Sequence, residues 1–163
     1  MAPPEAKAHR SKWGRNMTGN TPTRKLKILL VDDDRLVAES EGLMLQRLGH
    51  DVTVRTDSPE ALLAFTEHPQ EYDLVITDQV MPKMTGTRLA LEILRIRPEM
   101  PIILVTGFAD AVQESQVKAL GIRTFIRKPF SSKDMSSLID NAVGDKDRRP
   151  AGPNRGPAGP SQA

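Results

Sequence analysis

The chain has 163 residues, no cysteine and a formal net charge of +2. That length provides for one domain with a sizeable core, and the missing cysteines exclude disulfides and thiolate metal sites. The pI near 9.0 invites a nucleic-acid reading, but the charge is unevenly spread.

Residues 26–143 carry 13 Lys/Arg against 18 Asp/Glu, a net of −5. Residues 1–25 carry 6 against 1, and residues 144–163 carry 4 against 2. The basic character therefore lies in the tails and the foldable part is acidic. No basic patch interleaved with aromatic residues supports direct DNA binding, which is not expected. There is no apolar run near the N-terminus and no stretch long enough to span a bilayer, so a cytoplasmic protein without membrane contact is expected.

Residues 1–23 are poor in branched apolar residues and hold Pro3, Pro4 and Pro22. They are expected to form a disordered basic tail. Residues 26–31 are an apolar run of β type. Residues 35–48 read as a helix with Asp34 as its cap, and Gly49 stands where a left-handed residue ends such a helix. Residues 51–55 alternate as a short strand. Ser58-Pro59-Glu60 reads as a helix start, with Ser58 as the cap, and that helix ends before Pro69.

Leu74-Val75-Ile76-Thr77 is a buried strand ending at Asp78. Residues 85–96 are helical, and residues 102–106 form a fourth strand. Residues 110–120 read as a helix capped by Asp110, with Gln113 at the capping-box position and Gly121 at the end. Residues 124–126 are a fifth strand. Ser131 and Asp134 make a second capping box, opening a helix with Met135, Leu138, Ile139, Ala142 and Val143 at helical spacing. Residues 144–163 form a second expected disordered tail, rich in Pro and Gly.

Strands that are apolar throughout, each followed by a helix, predict a parallel sheet covered on both faces. The expected fold is α/β: a doubly wound five-stranded sheet of order 2-1-3-4-5, the flavodoxin-like three-layer sandwich. That order brings the ends of strands 1, 3, 4 and 5 to one edge. Asp32, Asp33, Asp78, Thr106 and Lys128 should therefore converge. Singly, each has a plainer reading: Asp as a turn former or cap, Thr as structural, Lys before Pro as surface. Their coincidence on one edge argues for chemistry.

Crowded carboxylates repel and need a cation. Oxygen ligands suit a hard ion such as Mg²⁺, which prefers carboxylate and phosphate oxygens. His9, His50 and His68 lie away from these strand ends, which disfavours zinc or iron. A hydroxyl and an ammonium nearby offer donors to incoming anionic oxygens. The cluster suits Mg²⁺ and a phosphoryl group accepted on a carboxylate. No glycine-rich phosphate loop is present to bind a nucleoside triphosphate.

At Val31-Asp32-Asp33-Asp34, Asp78 with Met81-Pro82-x-Met84-x-Gly86, Thr106-Gly107 and Lys128-Pro129-Phe130, the chain resembles the receiver domain of two-component response regulators, over residues 26–143. The domain boundaries implied are 24–143. The resemblance implies Asp78 as phospho-acceptor and Asp33, Asp78 and the Val80 backbone carbonyl as Mg²⁺ ligands, with Asp32 acting through metal-bound water. It implies that Lys128 pairs with Asp78 and then with a phosphoryl oxygen, and that Thr106 is the switch hydroxyl. Phe125 matches the aromatic switch position. The Lys128–Pro129 peptide is expected to be cis.

Val80 and Phe108 match positions flanking the path of the hydrolytic water, so slow loss of phosphate is expected. The signalling face would be residues 110–143. The implied donor is the phospho-His of a sensor histidine kinase or a phosphotransfer protein, and the output a downstream protein target, with a phosphorylation-dependent homodimer as one form. Such a chain is a stand-alone signalling switch, catalysing only its own phosphorylation and dephosphorylation. The Asp-Gln-x-Met-Pro and Thr-Gly-Phe segments look like receivers of hybrid sensor kinases. The alternative is a phosphate-independent interaction module with a vestigial site. A haloacid dehalogenase-type hydrolase needs a second Asp two residues beyond the nucleophile, where Val80 stands.

Overall fold

In a computed structural model, residues 24–107 and 114–144 are described. The expected tail 1–23, residues 145–163 of the expected tail 144–163, and Phe108, Asp110 and Gln113 lie outside them. The first strand, β1 (Lys27–Val31), is followed by α1 (Arg35–Arg47), β2 (Asp51–Arg55), α2 (Ser58–Glu67) and β3 (Leu74–Asp78). Then come α3 (Gly86–Ile96), β4 (Ile102–Thr106), α4 (Glu114–Ala119), β5 (Thr124–Arg127) and α5 (Ser132–Gly144). Gly144, expected to open the second tail, instead belongs to α5.

All the strand pairs are parallel, and the order is β2-β1-β3-β4-β5. The strands are apolar on both sides because both sides are covered. Leu29, Val31, Val75, Ile102 and Leu104 pack with Phe65, Leu89, Ile93 and Val117 of α2, α3 and α4. Ile28, Leu30, Ile76, Ile103 and Val105 face the other way, onto Leu45, Met135 and Ile139 of α1 and α5. This is the three-layer sandwich. Each fully buried Leu or Ile contributes roughly 1.5–3 kcal/mol of transfer free energy.

Local chemistry sets where most helices begin. Asp34 caps α1, its Oδ1 accepting from Leu36 N at 3.0 Å and Val37 N at 3.2 Å. Gly49 follows that helix with φ +97°, a conformation that suits a residue without a Cβ. Ser131 and Asp134 exchange hydrogen bonds across the first turn of α5, as a capping box should. Thr85 lies just outside α3 as its cap.

The start of α2 differs from expectation. Asp57 is the cap, accepting from Glu60 N at 3.1 Å, and Ser58 is already helical. Adjacent Asp and Ser are both good caps. The Ser58 hydroxyl is drawn off by a tertiary contact, donating to the Met84 carbonyl at 3.0 Å, with the Pro82 carbonyl at 3.4 Å.

Candidate functional site at the carboxyl edge of the sheet

Register explains the convergence. Val31, the last residue of β1, pairs with Thr77, and Asp78 pairs with Val105. Asp32 and Asp33 therefore leave β1 beside Asp78, and Thr106 ends β4 one residue past Val105. Thr106 pairs in turn with Arg127, and Lys128 follows it. The Lys128–Pro129 peptide is cis.

Asp32, Asp33 and Asp78 each offer one carboxylate oxygen within 4.8 Å of the others. Asp32 is buried, Asp78 partly buried and Asp33 exposed. The Lys128 ammonium sits between two of them, 3.0 Å from Asp32 Oδ2 and 3.2 Å from Asp78 Oδ1. The second oxygens are also occupied. Asp34 N donates to Asp32 Oδ1 at 2.9 Å, and Val80 N donates to Asp78 Oδ2 at 3.1 Å.

Burial raises the Asp78 carboxyl above its ordinary range, against the Lys128 charge that lowers it and with the Asp32 charge that raises it. Burial also works against the Lys128 charge. The hydrogen bond to Asp32 and the charges of Asp32, Asp78 and Glu41 overcome it, so the ammonium is held well above its usual range.

The cluster fits the hard cation foreseen for it. The donors are all carboxylate oxygen, they gather at a single point, and one of them is open to solvent. Asp33 and Asp78 can ligate directly. The more buried Asp32 already has both oxygens engaged by the Asp34 amide and Lys128.

Thr106 and Phe125, the expected switch residues, lie on the other side of the sheet edge. Thr106 is buried, and its hydroxyl donates to the Ile126 carbonyl at 3.4 Å, toward β5 rather than the carboxylates. Phe125 is half-buried against the core that underlies α3 and α4, with the Lys118 ammonium 6.0 Å from its ring centre. The Val80 side chain is 62% exposed.

The residue that sequence reading missed is Glu41. Its carboxylate lies 3.8 Å from the Lys128 ammonium with its side chain 12% exposed. Burial raises its carboxyl to about 7, opposed by Lys128 and reinforced by Asp32 and Asp78. The signal was an acid on the inner face of α1, at helical spacing with the buried residues Ala38 and Leu45.

Residues 28–140 match the family described as the response regulator receiver domain. The chain is 35% identical over 116 residues to a "Probable transcriptional regulator ycf27" of Cyanophora paradoxa, covering 71% of this chain and 47% of that protein. It is 30% identical over 112 residues to the "Sensory transduction protein RegX3" of Mycobacterium bovis, covering 69% and 48%. It thus spans about half the length of these relatives. A receiver domain protein from Clostridium thermocellum superposes with a TM-score of 0.72 at 34% identity, over 76% of this chain and 98% of that one. A CheY-like receiver domain protein from Methanospirillum hungatei superposes with a TM-score of 0.68 at 28% identity, over 76% and 98%.

Proposed function

Because the chain belongs to the response regulator receiver domain family, we propose that it is a phospho-accepting switch with Asp78 as the acceptor. The observation that carries this reading is the Lys128 ammonium held between Asp32 and Asp78 at the rim of a three-carboxylate cluster. A vestigial site would have no need of such a set.

An oxygen of Asp78 attacks the phosphorus of a phospho-His on a sensor kinase or phosphotransfer protein. The P–N bond breaks, its electron pair stays on the imidazole nitrogen, and that nitrogen takes up a proton. Lys128 already lies against Asp78 and can follow the charge onto a phosphoryl oxygen. Asp33, Asp78 and the Val80 carbonyl would hold Mg²⁺, with Asp32 acting through bound water. When bound, the ion supplies positive charge that offsets the crowded carboxylate and phosphoryl oxygens.

Thr106 gives up its long bond to Ile126 and donates to the phosphoryl group, and Phe125 turns further inward behind it. The phosphorylated state has bonds that the free state lacks, so the population shifts and the face built on α4, β5 and α5 changes for its partner. That partner is a downstream protein or a second copy of the chain. The transcriptional relatives point to a DNA-binding effector as one class of target. The setting is cytoplasmic; among the described residues no helix is long and apolar enough to cross a membrane. Val80 shields the acceptor from water and slows loss of phosphate, and a phospho-Asp lifetime of only seconds would overturn that part.

The test is incubation with a small acyl phosphate and Mg²⁺, followed by intact-mass measurement. A gain of one phosphate that is lost in Asp78→Asn is expected. No gain overturns the reading in favour of a phosphate-independent interaction module.

A further inference from the structure

The loop after Asp78 is fastened at both ends. Gln79 N donates to the Val105 carbonyl at 2.9 Å, and Gly86 N donates to the Gln79 carbonyl at 3.0 Å. The Gln79 side-chain oxygen accepts from both the amide and the hydroxyl of Thr87. The middle of the loop has an uncommon shape. Lys83 has φ 66°, and Met84 N donates to the Pro82 carbonyl at 2.7 Å, a γ-turn of the kind rarely adopted by a residue with a side chain. Such a turn stores strain and persists when its surroundings hold it.

The N-terminus of α2 holds it. Ser58 is 2% exposed, and its hydroxyl donates to the Met84 carbonyl at 3.0 Å, with the Pro82 carbonyl at 3.4 Å. Asp57 pairs with the Lys83 ammonium through Oδ2 while its Oδ1 caps α2. The cap and first residue of α2 therefore grip both end residues of the γ-turn and the residue at its centre. Val80 is bracketed by these restraints: its amide is bound to Asp78, the Met81 side chain is buried, and the gripped turn comes next.

We infer that Ser58 and Asp57 are positioning residues for the cation site, fixing the loop whose Val80 carbonyl serves as a protein ligand. This rests on the metal reading proposed above. They touch neither the cation nor the phosphoryl group. Their work is to hold a backbone oxygen at one place.

Mg²⁺ demands near-ideal octahedral geometry at short range, whereas Ca²⁺ accepts longer and more variable distances. A carbonyl set free to wander should therefore be felt more by Mg²⁺ than by Ca²⁺. The experiment is calorimetric titration of the metal-stripped 163-residue protein with each ion. Ser58→Ala should weaken Mg²⁺ binding roughly tenfold, the low end for a residue that supports a metal ligand. It should weaken Ca²⁺ binding by less than about twofold. Lys83→Gln, an exposed change, should move the ratio the same way by a smaller amount and carries the comparison if Ser58→Ala does not fold. A general loss of structure would weaken both ions equally, and equal weakening or no change in either variant overturns the inference. Wild-type protein that binds no Mg²⁺ overturns the metal reading itself, and this inference with it.

Discussion

A Cβ added to Gly86 would lie 2.1 Å from the carbonyl oxygen of Asp78 and 2.9 Å from Leu104 Cδ1. The first turn of α3 thus rests directly on the backbone of Asp78. Neither backbone can yield without moving a strand, so Gly86→Ala should cost about 3 kcal/mol or more. Urea denaturation measures it; a cost under about 1 kcal/mol would show that the two backbones part easily.

The Lys128 ammonium is a cation already occupying part of the carboxylate cluster. Lys128→Gln should therefore bind Mg²⁺ more tightly in the unphosphorylated state, by about 1 kcal/mol at low salt. It should also accept phosphate from an acyl phosphate at least about tenfold more slowly, because a donor to the phosphoryl oxygen is gone. Titration calorimetry and timed mass measurement check the two effects, which run in opposite directions.

Glu41 makes stability depend on pH. Its folded carboxyl is raised to about 7, above the ordinary glutamate range. In acid both folded and unfolded chains are protonated there and nothing is lost. As pH rises, the unfolded chain ionises first, and the folded state is progressively disfavoured until pH passes about 7. In metal-free buffer at pH 8, Glu41→Gln should be more stable than the parent by roughly 1–3 kcal/mol, allowing for partial solvation. Thermal melts should show that gain vanishing as pH falls to about 4.

His50 works in the opposite sense. It is buried and accepts a hydrogen bond from Leu26 N on Nδ1 at 3.3 Å, so it needs its neutral form. Burial lowers its pKa, against the raising effect of Asp140. Its contribution is present above the ordinary histidine range and is lost as pH falls through the lowered folded value. His50→Asn keeps an acceptor for Leu26 but does not titrate. Between pH 7.5 and 5 its melting temperature should fall less than the parent's.

Features set by short range were legible in the chain itself. Asp34, Gly49 and the Ser131–Asp134 box act within a turn of where they stand. The carboxylate cluster was legible for a different reason: a parallel sheet sends every strand end to one edge, so apolar runs alone predict the meeting of Asp32, Asp78 and Lys128. What escaped depended on which neighbour a side chain meets. Ser58 or Asp57 could each cap α2, and carbonyls more than twenty residues away decided between them. Glu41 is one acid among several on an amphipathic helix, and only its tertiary contact with Lys128 sets it apart.

The hydrogen bond from Lys128 to Asp32 joins residues 96 positions apart. During synthesis the carboxylates of β1 and β3 emerge long before the lysine that offsets them. A nascent chain ending at β4 carries the whole acidic cluster and none of its protein counter-charge. Contacts of such sequence separation form late, after the loop entropy of the intervening chain has been overcome. On the phospho-acceptor reading proposed above, full-rate uptake of phosphate would then wait for the completed fold, and unfinished copies would draw little from the signal.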